Sequence, residues 1–74
     1  MIYEKLKNVR GEVFVNGDRC TFGIVYISGD YVRIRIFKDG KAYAVYTLPA
    51  NTKLNVIVYI DKVQFKFIKK ARMI

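Results

Sequence analysis

The sequence predicts an all-β domain, a small five- to six-stranded antiparallel meander forming a barrel or a strongly curved sheet. Three observations predict it. Turn-forming pairs recur at short intervals, the segments between them alternate apolar with polar residues, and hardly any stretch has helical spacing.

The turns come first, because they divide the chain. Asn16-Gly17, Ser28-Gly29-Asp30 and Asp39-Gly40 are hairpin signals, since Gly, Asn and Asp accept the positive φ of tight turns. Leu48-Pro49-Ala50-Asn51 is a longer break, because proline cannot donate to a sheet ladder. Asp61-Lys62 is the weakest turn signal. Between the turns lie β-rich segments at residues 9–15, 19–27, 31–37, 42–48, 54–60 and 63–68. A helix fits only at residues 3–8, where Glu4, Lys5, Leu6 and Lys7 favour one, and an extended arm fits equally well. Residues 1–74 read as one domain, of the size of SH3 or OB barrels.

Alternation then assigns faces. In the third segment Val32, Ile34 and Ile36 point one way and Tyr31, Arg33, Arg35 and Phe37 the other. Burying arginines costs several kcal/mol per charge, so the valine–isoleucine side is the core side. In the second segment the bulkier set, Cys20, Phe22, Ile24 and Tyr26, belongs inside. A three-residue loop, Ser28-Gly29-Asp30, aligns both apolar sets and predicts Val25 beside Arg33 and Gly23 beside Arg35. A two-residue Asp39-Gly40 turn predicts the pairs Phe37–Ala42, Arg35–Ala44 and Arg33–Tyr46, with Tyr43 and Val45 in the core.

Composition bounds the function. The 74 residues can bury only about 60% of the surface they expose when unfolded. Yet 53% of them are hydrophobic, which makes homo-oligomerisation an expectation. Cys20 is the only cysteine, so no disulfide forms within the chain, and a small buried hydrophobe is its expected role. Without histidine there is no zinc shell and no base poised near neutrality, so neither a metal, a cofactor nor an enzyme activity is expected. The first residues have no signal-peptide core, and no apolar run reaches membrane-span length. A cytoplasmic protein is expected.

The net charge of +8, from 14 Lys+Arg against 6 Asp+Glu, favours a polyanionic partner. Arginine contacts phosphate and stacks on π faces, and exposed aromatic rings offer bases a flat surface. The predicted outer face gathers Tyr31, Arg33, Arg35, Phe37 and Tyr46 around Gly23, Ala42 and Ala44. Lys66, Lys69, Lys70 and Arg72 add a basic C-terminal end. The expected partner is therefore nucleic acid, DNA or RNA, bound single-stranded or with weak sequence preference. The alternative is an assembly module whose aromatic sheet is a homo-oligomer interface, with Arg33 and Tyr46 in a cross-strand cation–π pair. A small-ligand sensor barrel is a third reading.

The segment Gly11-Glu12-Val13-Phe14-Val15-Asn16-Gly17, followed by Tyr26-Ile27-Ser28-Gly29, resembles the barrel start of PilZ domains over less than a third of the chain. That family binds a cyclic dinucleotide through an arginine motif before its barrel and an Asp/Asn-x-Ser-x-x-Gly motif. Here Tyr26 stands at the acid or amide position and Tyr31 at the glycine position, and no paired arginines precede the barrel. Only Ser28 matches the second motif.

Overall fold

The turn pairs act as their chemistry demands. Asn16 and Gly17 take φ of 49° and 84°, and Asp39 and Gly40 take 54° and 77°, left-handed at both central positions as a two-residue hairpin requires. Asp61 and Lys62 do the same at 51° and 66°, although neither is glycine. The third hairpin closes differently. The Ser28 amide donates to the Tyr31 carbonyl at 2.9 Å, and the Ser28 hydroxyl accepts from the amides of Asp30 and Tyr31 at 3.3 and 3.2 Å. Gly29 is not left-handed there, so a side-chain-bonded turn replaces the glycine-dependent one.

The computed structural model describes residues 1–4 and 10–72, Arg72 by its backbone alone. The strands are β1 (Tyr3–Glu4), β2 (Gly11–Val15), β3 (Asp18–Ile27), β4 (Tyr31–Lys38), β5 (Lys41–Pro49), β6 (Ile57–Ile60), β7 (Val63–Lys69) and β8 (Ala71–Arg72). No helix occurs among the described residues. The candidate helix at residues 3–8 is strand at Tyr3 and Glu4, and its remainder lies outside the described residues.

Six antiparallel strands in the order β5-β4-β3-β2-β7-β6 form a strongly curved half-barrel. The meander runs only from β2 to β5. The chain then crosses from one edge of the sheet to the other, and β7 pairs with β2. A short parallel pair, β1 with β8, brings the buried Ile2 and Ala71 onto the core. Inside the curve Phe22 meets Phe67 edge-on, with centroids 5.0 Å apart, and Phe65 stacks beside Phe67 at 5.9 Å. Val13, Val32, Ile34, Ile36 and Leu48 complete this fully buried set. Burying each such side chain stabilises the fold by about 1.5–3 kcal/mol.

Two bulges correct the predicted register. In β3, Ile24 pairs with Ile34 and Tyr26 with Arg33, leaving Val25 as the extra residue. In β5, Ala44 pairs with Ile36 and Ala42 with Phe37, leaving Tyr43 extra. An inserted residue reverses the facing of everything beyond it. Tyr26 therefore points outward and is 51% exposed instead of joining the core. Val45 stands opposite Arg35 at 48% exposure, and the bulged Tyr43 is 61% exposed, so neither enters the core. The expected loop of Ser28, Gly29 and Asp30 is shorter by one residue, and the bulge at Val25 supplies the missing parity.

Candidate nucleic-acid interface

The core requirement of β4 dictates its outer face. With Val32, Ile34 and Ile36 buried, Arg33 and Arg35 project outward and are exposed, with Tyr31 and Phe37 half-buried beside them. Their neighbours follow from the ladders. Arg33 lies between Tyr26 on β3 and Thr47 on β5, and Arg35 between Gly23 and Val45. Phe37 lies between Thr21 and Ala42. The rings of Tyr26 and Tyr31 sit 5.9 Å apart, tilted by 40°, next to Arg33.

Among the described residues no carboxylate forms an ion pair with Arg33 or Arg35. Among the described residues, the ion pairs join Arg19 to Glu12, Lys38 to Asp18 at 3.3 Å and Lys70 to Glu4 at 3.6 Å. Arg33 and Arg35 belong to none of them. Asp39 and Asp61 are held in the tight turns, and Asp30 in the Ser28 turn.

Of the residues singled out in the sequence, Tyr31, Arg33, Arg35 and Phe37 share one surface. Tyr46 does not. The bulge at Tyr43 moves it opposite Ile34, and it turns to the core side, where it packs on Phe65. The proposed Arg33–Tyr46 pair therefore does not form, and Tyr26 takes the aromatic position beside Arg33. Sequence alternation offered no sign of this exchange, because nothing local marks Val25 as a bulge.

The basic C-terminal residues separate as well. Lys66 projects from the outer face of β7 between Phe14 and Ile57. Lys69 faces Glu12 across the β2–β7 ladder. The Arg19 side chain, by hydrogen bonding, holds the Glu12 carboxyl below its usual range, partly opposed by desolvation and assisted by the charges of Arg19 and Lys69. Lys70 is engaged by Glu4. The backbone of Arg72 lies in β8, and its side chain is outside the described residues. Lys66 and Lys69 thus share the convex surface with the arginines, but three strand spacings away, roughly 14 Å.

One functional candidate escaped the sequence reading. The Arg10 guanidinium carbon lies 3.6 Å from the centroid of the Phe37 ring. Gly11 pairs with Phe22, so Arg10 enters beside Gly23, where a missing side chain lets it cross toward Phe37. Phe37 is therefore a support for Arg10 and not a free stacking surface. The signal was a glycine opposite an arginine, visible only once the β2–β3 register is known.

Cys20 is buried, with its Sγ 3.6 Å from the Asp18 carbonyl oxygen, and stands apart from this face. Among the described residues no three of His, Cys, Asp or Glu converge as metal ligands would. No helix of the described residues is long and apolar enough to cross a membrane. Compared with protein-family models, curated proteins and solved structures, the chain has no match. The class is defined by fold and surface alone, a small curved antiparallel sheet whose outer face carries exposed arginines beside tyrosines.

Proposed function

We propose that this domain is a non-catalytic binder of single-stranded nucleic acid, DNA or RNA, using the convex face of β3, β4 and β5. One observation carries the reading: Arg33 and Arg35 are exposed next to the Tyr26–Tyr31 pair, and neither is in an ion pair among the described residues. The arginines supply charge-assisted contacts to phosphate, and each ring can stack a base for about 1–3 kcal/mol. Convexity favours a single strand, because a flexible chain can wrap a curved sheet that a stiff duplex touches only along a line.

The test is fluorescence anisotropy of a labelled oligonucleotide across a salt series. Arg33→Ala and Arg35→Ala should each weaken binding and lower the log–log salt slope by about 0.7. Tyr26→Ala and Tyr31→Ala should weaken binding with little change of slope, since stacking releases few counterions. Folding of each variant is checked by circular dichroism. Failure of the wild-type chain to bind any oligonucleotide at low salt removes the reading.

A second reading, a homo-oligomeric assembly module, is favoured by a different surface. On the free edge strand β6, Ile57 and Tyr59 are 52% and 68% exposed, beside the exposed Val56. Unguarded edges of this kind invite strand pairing between copies. Analytical ultracentrifugation at micromolar concentration tests it, with Ile57→Lys expected to release the monomer. A wild-type monomer throughout refutes it.

A further inference from the structure

We propose that Arg10 and Arg35 form a phosphate-binding recess over Gly23, an inference that rests on the nucleic-acid reading and locates where one phosphate group is held. The recess, about 220 Å³, is lined by Arg10, Gly23, Ile24, Val25, Arg35 and Phe37. Among the described residues its charged walls are the two arginines, and neither takes part in an ion pair there. Two cations sharing one recess repel each other, and an anion between them removes that cost.

The floor is the backbone of Gly23. A Cβ built there meets only a Phe37 ring carbon, at 3.7 Å, so the space above the strand is open because glycine occupies the position. Arg10 is held in place by its face contact with Phe37. Guanidinium N–H donors lie in the plane of the group, so a face contact leaves the edge donors available to a ligand. Arg35 enters from the opposite side, set against Gly23 by the ladder pairing. The bulged Val25, outside the ladder, closes one wall. Planar forks of this kind suit the oxygens of a phosphate group, whether an internal diester or a terminal monoester.

The test alters the shape of the recess without altering its charge. Gly23→Val and the milder Gly23→Ala are introduced beside Arg10→Ala and Arg33→Ala. Binding of a twelve-residue oligothymidylate is followed by anisotropy, and binding of pyrophosphate by amide chemical shifts. Gly23→Val and Arg10→Ala should each weaken oligonucleotide binding about tenfold, the worth of roughly one charged hydrogen bond. The salt slope should fall by about 0.7. Gly23→Ala should weaken binding less while thermal stability stays level or rises, since its Cβ makes an ordinary contact. Pyrophosphate should shift the amides of Gly23 and Val25 in the wild type and in Arg33→Ala, but not in Gly23→Val.

Normal oligonucleotide binding by Gly23→Val and Arg10→Ala, with Arg33→Ala weakened, overturns the recess and leaves the nucleic-acid reading standing. Pyrophosphate binding without any oligonucleotide binding upholds the recess and overturns that reading. Binding of neither overturns both. An oligonucleotide carrying a 5′-phosphate identifies the source: tighter binding than its unphosphorylated form assigns a terminal monoester, and equal binding an internal diester.

Discussion

The ring of Tyr46 meets that of Phe65 edge-on, 4.8 Å between centroids and 74° between planes. The contact joins β5 to β7, strands that share no ladder, across the open side of the half-barrel. Like the edge-on contact of Phe22 with Phe67 between β3 and β7, it is a tertiary tie that no ladder supplies.

Tyr46→Ala should therefore destabilise the fold. A fully buried aromatic truncation costs about 3–5 kcal/mol, and for this half-buried ring about 2 kcal/mol is expected. A lower urea midpoint checks it, with oligonucleotide affinity of the folded protein unchanged. A loss of affinity at unchanged stability would return Tyr46 to the binding surface.

Gly11→Ala should be damaging where Gly23→Ala is not. Gly11 is buried, and a Cβ there would overlap the Lys69 carbonyl oxygen and the Phe22 ring. A backbone oxygen cannot rotate aside, and overpacking of this kind costs about 1–3 kcal/mol. Calorimetry should show the Tm of Gly11→Ala lowered by roughly 10 °C. Equal Tm values for the two variants would contradict the packing described for β2.

Lys62→Gly should stabilise the β6–β7 hairpin. Lys62 holds φ of 66°, a conformation costing a residue with a Cβ about 1–2 kcal/mol. Part of that gain is lost to the extra freedom of glycine in the unfolded chain, leaving about 0.5–1 kcal/mol. The denaturation midpoint should rise. A fall would mean that the lysine stem covers apolar surface at the turn.

Stability should decline in alkali through Cys20. Burial pushes its thiol above the ordinary value, with the nearby Lys38 charge opposing. The folded state then keeps a proton that the unfolded chain releases. This contribution is fully present below the unfolded thiol value of about 8.5, and is lost as pH rises toward the folded one. Urea midpoints from neutral to alkaline pH should fall more steeply for the wild type than for Cys20→Ala. Parallel curves would remove the thiol as the cause.

The parts of this fold that were legible in the sequence are local ones. Asn16-Gly17 and Asp39-Gly40 announce their hairpins because few residues accept left-handed φ at two successive positions. The core face of β4 was legible for an energetic reason, since Arg33 and Arg35 alternate with Val32, Ile34 and Ile36 and cannot be buried. The exchange of Tyr46 for Tyr26 beside Arg33 was not legible, because each depends on a bulge that propensity does not mark. Arg10 was missed for a related reason: its contact with Phe37 spans two ladders.

By itself, then, the sequence determined an all-β chain, its turns, and an arginine-bearing strand with one apolar side. Those follow from steric limits on φ and from the cost of burying charge, which act over a few residues. Tertiary structure alone decided that β7 returns to β2, that Tyr26 and Tyr31 flank Arg33, and that Arg10 and Arg35 converge over Gly23. Each of these depends on how the ladders slip to fill the space around Phe22, Phe65 and Phe67. Close packing of that core is a property of the whole sheet, and no single segment encodes it.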